Sequence, residues 1–291
     1  MFYGPVLTNT QSMTRLFEYR KQLQFDSIKV ITSWGLDSGW NDTTRAQILT
    51  LTPNPVVRTT YGDPSNKGKI AYAMPYAQNV VEELAPWIKF KPDLIVEVGN
   101  EPNIGIMPTQ FIWEYRYHLN ESIKLLRKLY PMVRIIAPGF IVNNTMKEWL
   151  TILGDVFATA DYIGVHAYEH VTYTDSTALP KTNHLQEKTD LLAYLKKPLI
   201  LTEFGINATS HNGKPITNKM KQQEYRDLVN VLRAVNTNPQ AIVEQEMFRP
   251  RYSTLVRSLV KAKSNNVQYA GALFYHINEK RDIDPQYHIA V

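Results

Sequence analysis

Eight short apolar runs, each closed by Gly, Pro or a polar turn and set apart by stretches of helical character, constrain this chain more than any other feature. They fall at residues 3–7, 27–33, 56–60, 94–99, 133–137, 162–167, 199–203 and 270–275. Runs of this length that are apolar on both faces read as parallel strands, because helices cover one side and the barrel or sheet core covers the other. Helical spacing appears between them. Residues 12–24 carry Met13, Leu16 and Leu23, and 75–90 carry Val80, Val81, Leu84 and Trp87. Residues 108–129 carry Phe111, Ile112, Tyr115, Leu119, Ile123 and Leu126, and 218–235 and 252–264 complete the set. Alternation of this kind predicts an α/β fold with a parallel sheet, and eight strands are the number a closed (β/α)8 barrel needs. The length of 291 residues, with 44% hydrophobic, suits one such domain over 1–291. Two stretches depart from the regular pattern. The segment between the seventh and eighth runs is overlong, and the tail after the eighth is too short for an ordinary closing helix, so the last helix is expected to be irregular or missing. A register in which 28–33 forms the first strand also stays open.

Two of these runs end in glutamate. Glu101 follows Leu94-Ile95-Val96-Glu97-Val98-Gly99-Asn100 and precedes Pro102; Glu203 follows Pro198-Leu199-Ile200-Leu201-Thr202 and precedes Phe204-Gly205. A carboxylate at the C-terminal end of a barrel strand stands where such folds keep their chemistry. The spacing between the two corresponds to about three strand–helix units of ~31 residues, which places them on the fourth and seventh strands. Hydrolysis of a glycosidic bond needs one carboxyl to protonate the leaving oxygen and a second to attack the anomeric carbon or activate water. The first must keep its proton near neutral pH, and the second must stay ionised. Each acid has a plainer reading alone: Glu101 as a helix-entry residue, Glu203 as a rim acid paired with a lysine. Two internal charges need partners. Arg58 interrupts an apolar strand, which is costly for an unpaired charge. Glu97 shares a strand face with residues 99 and 101 and so points into the barrel. Glu97 is therefore one candidate partner for Arg58.

The 17 Tyr and 5 Trp exceed what a core alone requires. Trp34, Trp40 and Trp113 follow strand ends or lie in nearby loops and are candidate sugar-stacking rings. Trp87 and Trp149 read as helix-face core. The segment 169–183, rich in Tyr, Thr and Asp, is a candidate cover for the cleft and equally a mobile surface loop.

Composition excludes several classes. There is no cysteine, hence no disulfide, thiolate metal site or thiol nucleophile. The net charge of +5 comes from dispersed basic residues with no aromatic interleaving, which argues against nucleic-acid binding and tilts the expected partner slightly toward an acidic glycan. No acidic spacing matches a calcium loop, and neither a metal nor a cofactor is expected. No apolar run approaches membrane-spanning length. Met1-Phe2-Tyr3-Gly4-Pro5 lacks the basic and apolar regions of a secretion signal. The expectation is a cytoplasmic protein, or one released by lysis or carried on a particle. Oligomeric state is not legible.

Gly99-Asn100-Glu101-Pro102-Asn103 resembles the acid/base signature on the fourth strand of the clan-A glycoside hydrolases, and Thr202-Glu203-Phe204-Gly205 resembles their seventh-strand nucleophile signature. His166-Ala167-Tyr168, between them, is similar to the His-x-Tyr of cellulase-like and xylosidase-like members. The three motifs stand in order across most of the chain. The resemblance implies a retaining enzyme acting on a β-linked oligo- or polysaccharide, with Glu101 as general acid/base and Glu203 as nucleophile, their carboxyl groups ~5–5.5 Å apart. It implies that Asn100 holds the sugar 2-hydroxyl and that Tyr168 lies near Glu203 and orients it. It offers Arg58 a second partner, since clan members often set an arginine against the nucleophile. His166 is either a substrate contact or a packed support for its neighbours. Many members end the eighth strand with a Trp beneath the sugar; here Phe274-Tyr275-His276 stands instead, so Tyr275 or His276 becomes the platform candidate. Two rival classes remain: a catalytically weak or inactive glycan-binding barrel, as in an adhesion or virion-associated module, and another barrel enzyme such as a lyase or aldolase. Against the second, no lysine stands at an expected strand end.

Overall fold

All eight apolar runs form strands: β1 (Phe2–Leu7), β2 (Ser27–Ile31), β3 (Asn54–Arg58), β4 (Ile95–Glu97), β5 (Arg134–Ile141), β6 (Tyr162–Tyr173), β7 (Leu199–His211) and β8 (Tyr269–Phe274). The structure, a computed structural model, describes residues 2–7, 26–32, 40–59, 74–103, 107–141, 145–173, 195–211 and 269–274. At 2, 3, 5, 167–173, 204–211, 269, 272 and 274 it describes the backbone alone. Each strand pairs in parallel with the next, and β1 closes the ring on β8. The chain is therefore a (β/α)8 barrel whose first strand is Phe2–Leu7, which removes the alternative start at 28–33. The expected helices at 12–24, 218–235 and 252–264, and the tail after β8, lie outside the described residues.

Period-two alternation divides the strands between two cores. Val6, Ile31, Val56, Ile95, Ile136, Ile200 and Leu273 point inward and pack on one another inside the barrel. Their sequence neighbours, among them Leu7, Val30, Val57, Val96, Ile135 and Leu201, point outward into a larger core shared with the helices. Four helices are described: α1 (Asp42–Leu51), α2 (Ala77–Ile88), α3 (Thr109–Leu129) and α4 (Met146–Phe157). Two of them, α1 and α4, are additional to the helices expected from the sequence. α3 buries Phe111, Ile112, Tyr115, Leu119, Ile123 and Leu126 at i, i+3 and i+4 spacing. Edge-on contacts of Trp149 with Phe111, Tyr115 and Phe140 lock α3 and α4 onto β5. Trp87 and Trp149 are both buried.

Three expectations need correction. Trp40 is buried, stacks edge-on against Trp87 at 5.5 Å, and donates its indole N–H to the Ile31 carbonyl at 3.3 Å. It is a core residue and not a sugar platform. Trp113 is exposed, but it lies on the outer face of α3, opposite the buried Ile112 and Tyr115, with Arg116 over its ring at 5.6 Å. The segment after β6 does not leave the sheet at residue 169. β6 and β7 continue side by side as far as the Tyr173–His211 pair.

Candidate active site

Above its apolar layer the barrel interior turns polar. Lys29, Arg58, Glu97, Asn100, His166, Thr202 and Glu203 are all buried there. Strand geometry explains how each arrives. Lys29 and Arg58 occupy inward positions of β2 and β3, and Glu97 is the register partner of Arg58 on β4. β7 carries a bulge: Leu201 pairs with Val165 and Glu203 with His166, leaving Thr202 as the extra residue. The bulge breaks the alternation, so two consecutive side chains enter the barrel. Thr202 Oγ1 donates to Glu97 Oε1 at 2.7 Å, while Glu203 reaches the two cations.

β5 is irregular too, with a register shift between Ala137 and Phe140. Within that shift Gly139 lets the site close up. A Cβ there would stand 2.1 Å from His166 Nε2 and 2.8 Å from Glu97 Oε1. The Gly139 carbonyl accepts from the Glu101 N–H at 2.9 Å. Beyond β4 the backbone leaves extended geometry, with φ of 89° at Gly99 and 40° at Glu101. Left-handed backbone is uncommon for a residue with a side chain and costs ~1–3 kcal/mol. Here it turns Glu101 back over the barrel mouth, toward the other acid.

The charges form a connected set. The Lys29 ammonium contacts Glu97 Oε2 at 2.6 Å, Glu203 Oε1 at 3.0 Å and the Thr202 carbonyl at 3.2 Å. Arg58 meets the same Glu203 oxygen at 2.6 Å and also donates to Asn100 Oδ1. His166 Nδ1 lies 2.6 Å from Glu101 Oε1 and 3.7 Å from Glu203 Oε2, and Nε2 lies 3.7 Å from Glu97. Burial alone raises the pKa of Glu97, but the Lys29 charge, aided by His166 and Arg58, outweighs it and holds the carboxyl at about 2. Burial likewise works against a charged His166. The Glu203 charge, the hydrogen bond to Glu101 and the nearby Glu97 carboxylate overcome it and raise the imidazole to about 9. At 3.7 Å the Glu97 contact is beyond hydrogen-bonding distance and acts by charge alone.

Of the residues singled out in the sequence, the structure brings Glu101, Glu203, Asn100, His166 and Arg58 together. One ligating atom from each of Glu101, His166 and Glu203 lies within 4.8 Å of the others. The two partners weighed for Arg58 are now distinguished: its direct ion pair is with Glu203, and Glu97 is taken by Lys29. The side chain of Tyr168 and all of Trp34, Tyr275 and His276 lie outside the described residues; the Tyr168 backbone pairs with Gly205, two residues past Glu203. Sequence reasoning missed Lys29. The signal was available, since Lys29 interrupts Ser27-Ile28-Val30-Ile31 just as Arg58 interrupts its strand. It is a mid-strand lysine, so an argument from strand ends did not meet it. It is fully buried and lies against two carboxylates and a carbonyl, with hydrogen bonds to Glu203 and Thr202.

Glu101, His166 and Glu203 are also the described residues best placed to hold a cation. The donor set is poorly suited to one. Glu203 Oε1 already faces Lys29 and Arg58 at 3.0 and 2.6 Å, and an added ion would stand against both.

No protein-family model and no curated protein matches the chain. Solved structures do match. The β-mannanase of Thermomonospora fusca, in complex with mannohexaose, aligns over 99% of this chain and 81% of its own, with a TM-score of 0.57 and 13% identity. Two fungal β-1,4-galactanases are represented by a match over 94% and 89%, with a TM-score of 0.56 and 13% identity. The endo-β-1,4-glucanase Xac0029 of Xanthomonas axonopodis pv. citri aligns over 99% and 92%, with a TM-score of 0.54 and 15% identity. At such identities the likeness is one of fold, and the fold this chain shares with them is the (β/α)8 barrel.

Proposed function

We propose that the chain is a single-domain retaining glycoside hydrolase acting on a β-linked oligo- or polysaccharide, with Glu203 as nucleophile and Glu101 as general acid/base. The observation that carries this reading is the approach of the Glu101 and Glu203 carboxylates to within 4.8 Å at the barrel mouth. Retaining enzymes hold the pair ~5–5.5 Å apart, whereas inverting ones leave ~6.5–9.5 Å for an intervening water. The glycan-cleaving barrels with the same fold are in keeping with it.

In the first step a Glu203 oxygen forms a bond to the anomeric carbon as the glycosidic C–O bond breaks, and Glu101 gives its proton to the leaving oxygen. In the second, water attacks the same carbon, Glu101 takes the water's proton and the glycosyl–Glu203 bond breaks. Lys29 and Arg58 favour the ionised nucleophile. The proton Glu101 needs has a place to reside, the 2.6 Å contact with His166 Nδ1. With the imidazole charged, the proton rests on Nδ1; it passes through Glu101 to the leaving oxygen in the first step and returns from water through Glu101 to Nδ1 in the second. Asn100, held by Arg58, is the proposed ligand of the sugar 2-hydroxyl, and Tyr168, Trp34, Tyr275 and His276 are proposed to line the sugar subsites.

The test is hydrolysis of a panel of aryl β-glycosides and β-linked polysaccharides. Glu203→Ala should lower kcat by ~10⁴-fold or more. It also vacates an anion position facing Lys29 and Arg58, so azide or formate should bind there and partly restore turnover, with an inverted glycosyl product. Turnover of the variant at the wild-type rate excludes Glu203 as nucleophile. Wild-type binding of glycans with no hydrolysis identifies a binding barrel instead.

A further inference from the structure

Lys29 is fully buried and lies between two carboxylates with different surroundings. Glu97 has no exposure and also accepts from Thr202, while Glu203, 3% exposed, also meets Arg58. The Lys29 ammonium donates to Glu203 and to the carbonyl of Thr202, the bulge residue that sets where Glu203 stands, and it forms a close ion pair with Glu97. Lys29 is also the closest cation to Glu97, and that contact is shorter than its contact with Glu203, at 2.6 against 3.0 Å. One positive charge is thus divided between two anions.

We infer that Lys29 is a positioning residue for Glu203, and that Glu97, by competing for the same ammonium, sets how readily Glu203 gives up its proton. Among the described residues, Glu203 is approached by Lys29 from β2, Arg58 from β3, Glu101 from the turn after β4 and His166 from β6, with Glu97 behind Lys29 and Asn100 behind Arg58. Arg58 and His166 are common to every state of this set. The Lys29–Glu97 pair is the part that can be altered without substituting either proposed catalytic glutamate.

The two ends of the pair then have opposite effects. In Glu97→Gln an anion is lost, the amide still accepts from Thr202 Oγ1, and the whole Lys29 charge falls to Glu203, whose pKa should drop. In Lys29→Met a cation is lost and the Glu97 anion remains beneath Glu203, whose pKa should rise. Opposite charges within ~4–6 Å commonly move a carboxyl by ~1–3 units, and shifts of about one unit or more are expected in each direction. A lysine with only a packing role predicts no such change of sign.

The inference uses the glycosidase reading only for its kinetic readout, so the experiment has two arms. The first follows the Glu203 carboxyl by 13C NMR titration of glutamate-labelled protein, with Glu203→Gln to assign the resonance; it requires no turnover. The second follows the acid limb of kcat/KM against pH on an aryl β-glycoside. The expected result is a downward shift in Glu97→Gln and an upward shift in Lys29→Met in both arms. Should Lys29→Met not fold, Lys29→Met/Glu97→Gln removes both charges together and should lie above Glu97→Gln. Glu203 titrating unchanged or upward in Glu97→Gln overturns the inference, whatever the enzyme assays show. NMR shifts of the expected signs in a protein that hydrolyses nothing uphold it and reject the glycosidase reading alone.

Discussion

Gly139 is where the site has least tolerance. Its missing side chain is what allows the His166 ring and the Glu97 carboxylate to sit against β5, and its carbonyl receives the N–H of Glu101. Both obstructing groups are fixed by ion pairs, so neither is a flexible end that can swing aside. Gly139→Ala should therefore displace His166 from Glu101 and cost ~1–3 kcal/mol by overpacking. Because displacement of a positioned group by 1 Å can cost ~10²-fold in rate, kcat should fall by about that factor while the protein remains folded by circular dichroism. Wild-type kcat in this variant would mean that the close approach has no bearing on turnover. The contrast with the glutamates shows what a sequence displays. Glu101 and Glu203 are legible because a carboxylate ending an apolar run is unusual and its position in a barrel is informative. Lys29 is legible by the argument that draws attention to Arg58. Gly139 is not, since a glycine after proline reads equally as a turn, and the residues that need its space come from β4 and β6, distant in the chain.

Strands were easier to recognise than helices, and the reason is physical. Most barrel-strand positions are apolar on both faces, so each strand stands out in the sequence, and even β4, reduced to Ile95–Glu97 by the left-handed turn at Gly99, lies within its expected run. The paired continuation of β6 and β7 beyond the barrel is not visible in this way, because residues 169–173 and 207–211 are mostly polar. α4 has a full apolar face of Met146, Trp149, Leu150, Leu153, Val156 and Phe157, signalled in the sequence analysis only through Trp149. α1 has hardly any face. Its buried residues, Ile48, Leu49 and Leu51, crowd at the C-terminal end, and Thr43, Thr44 and Thr50 are weak helix formers. What begins α1 is a capping box: the Asn41 side chain accepts from the Thr44 N–H at 3.0 Å, and Thr44 Oγ1 accepts from the Asn41 N–H at 2.9 Å. A helix with so little apolar face depends more on its cap than α3 does. Asn41→Ala should lower stability by about 1 kcal/mol in urea unfolding, with kcat unchanged because α1 contributes nothing to the acid cluster. A loss of a few tenths or less would assign the start of α1 to packing by Trp40 and Ile48 instead.

The polar interior gives the whole barrel a stability profile with two limbs, and their signs follow from the two displaced groups. Glu97 titrates at about 2 in the fold against 4.5 ordinarily. Its depressed pKa means that the fold favours the ionised form, so its contribution is fully present above ~4.5 and is lost as pH falls through about 2. His166 is the opposite case, at about 9 against 6.5. The fold favours its charged form, so that contribution is complete below ~6.5 and disappears as pH rises through about 9. Stability should consequently be greatest near pH 5–6.5 and decline gradually across pH 6.5–9, well before lysine or tyrosine titration could contribute. The part of the alkaline limb that His166 contributes can be removed. In His166→Gln the amide still offers a donor to Glu101, no proton is released above pH 6.5, and the slope of unfolding free energy between pH 6.5 and 9 should flatten, although the variant is less stable overall. Urea unfolding at half-unit steps from pH 5 to 9.5 measures both proteins. An alkaline decline of equal slope in His166→Gln would show that the imidazole is not held in its charged form, and the ion-pair set around Glu101, Glu203 and Glu97 would then have to balance its charges without it.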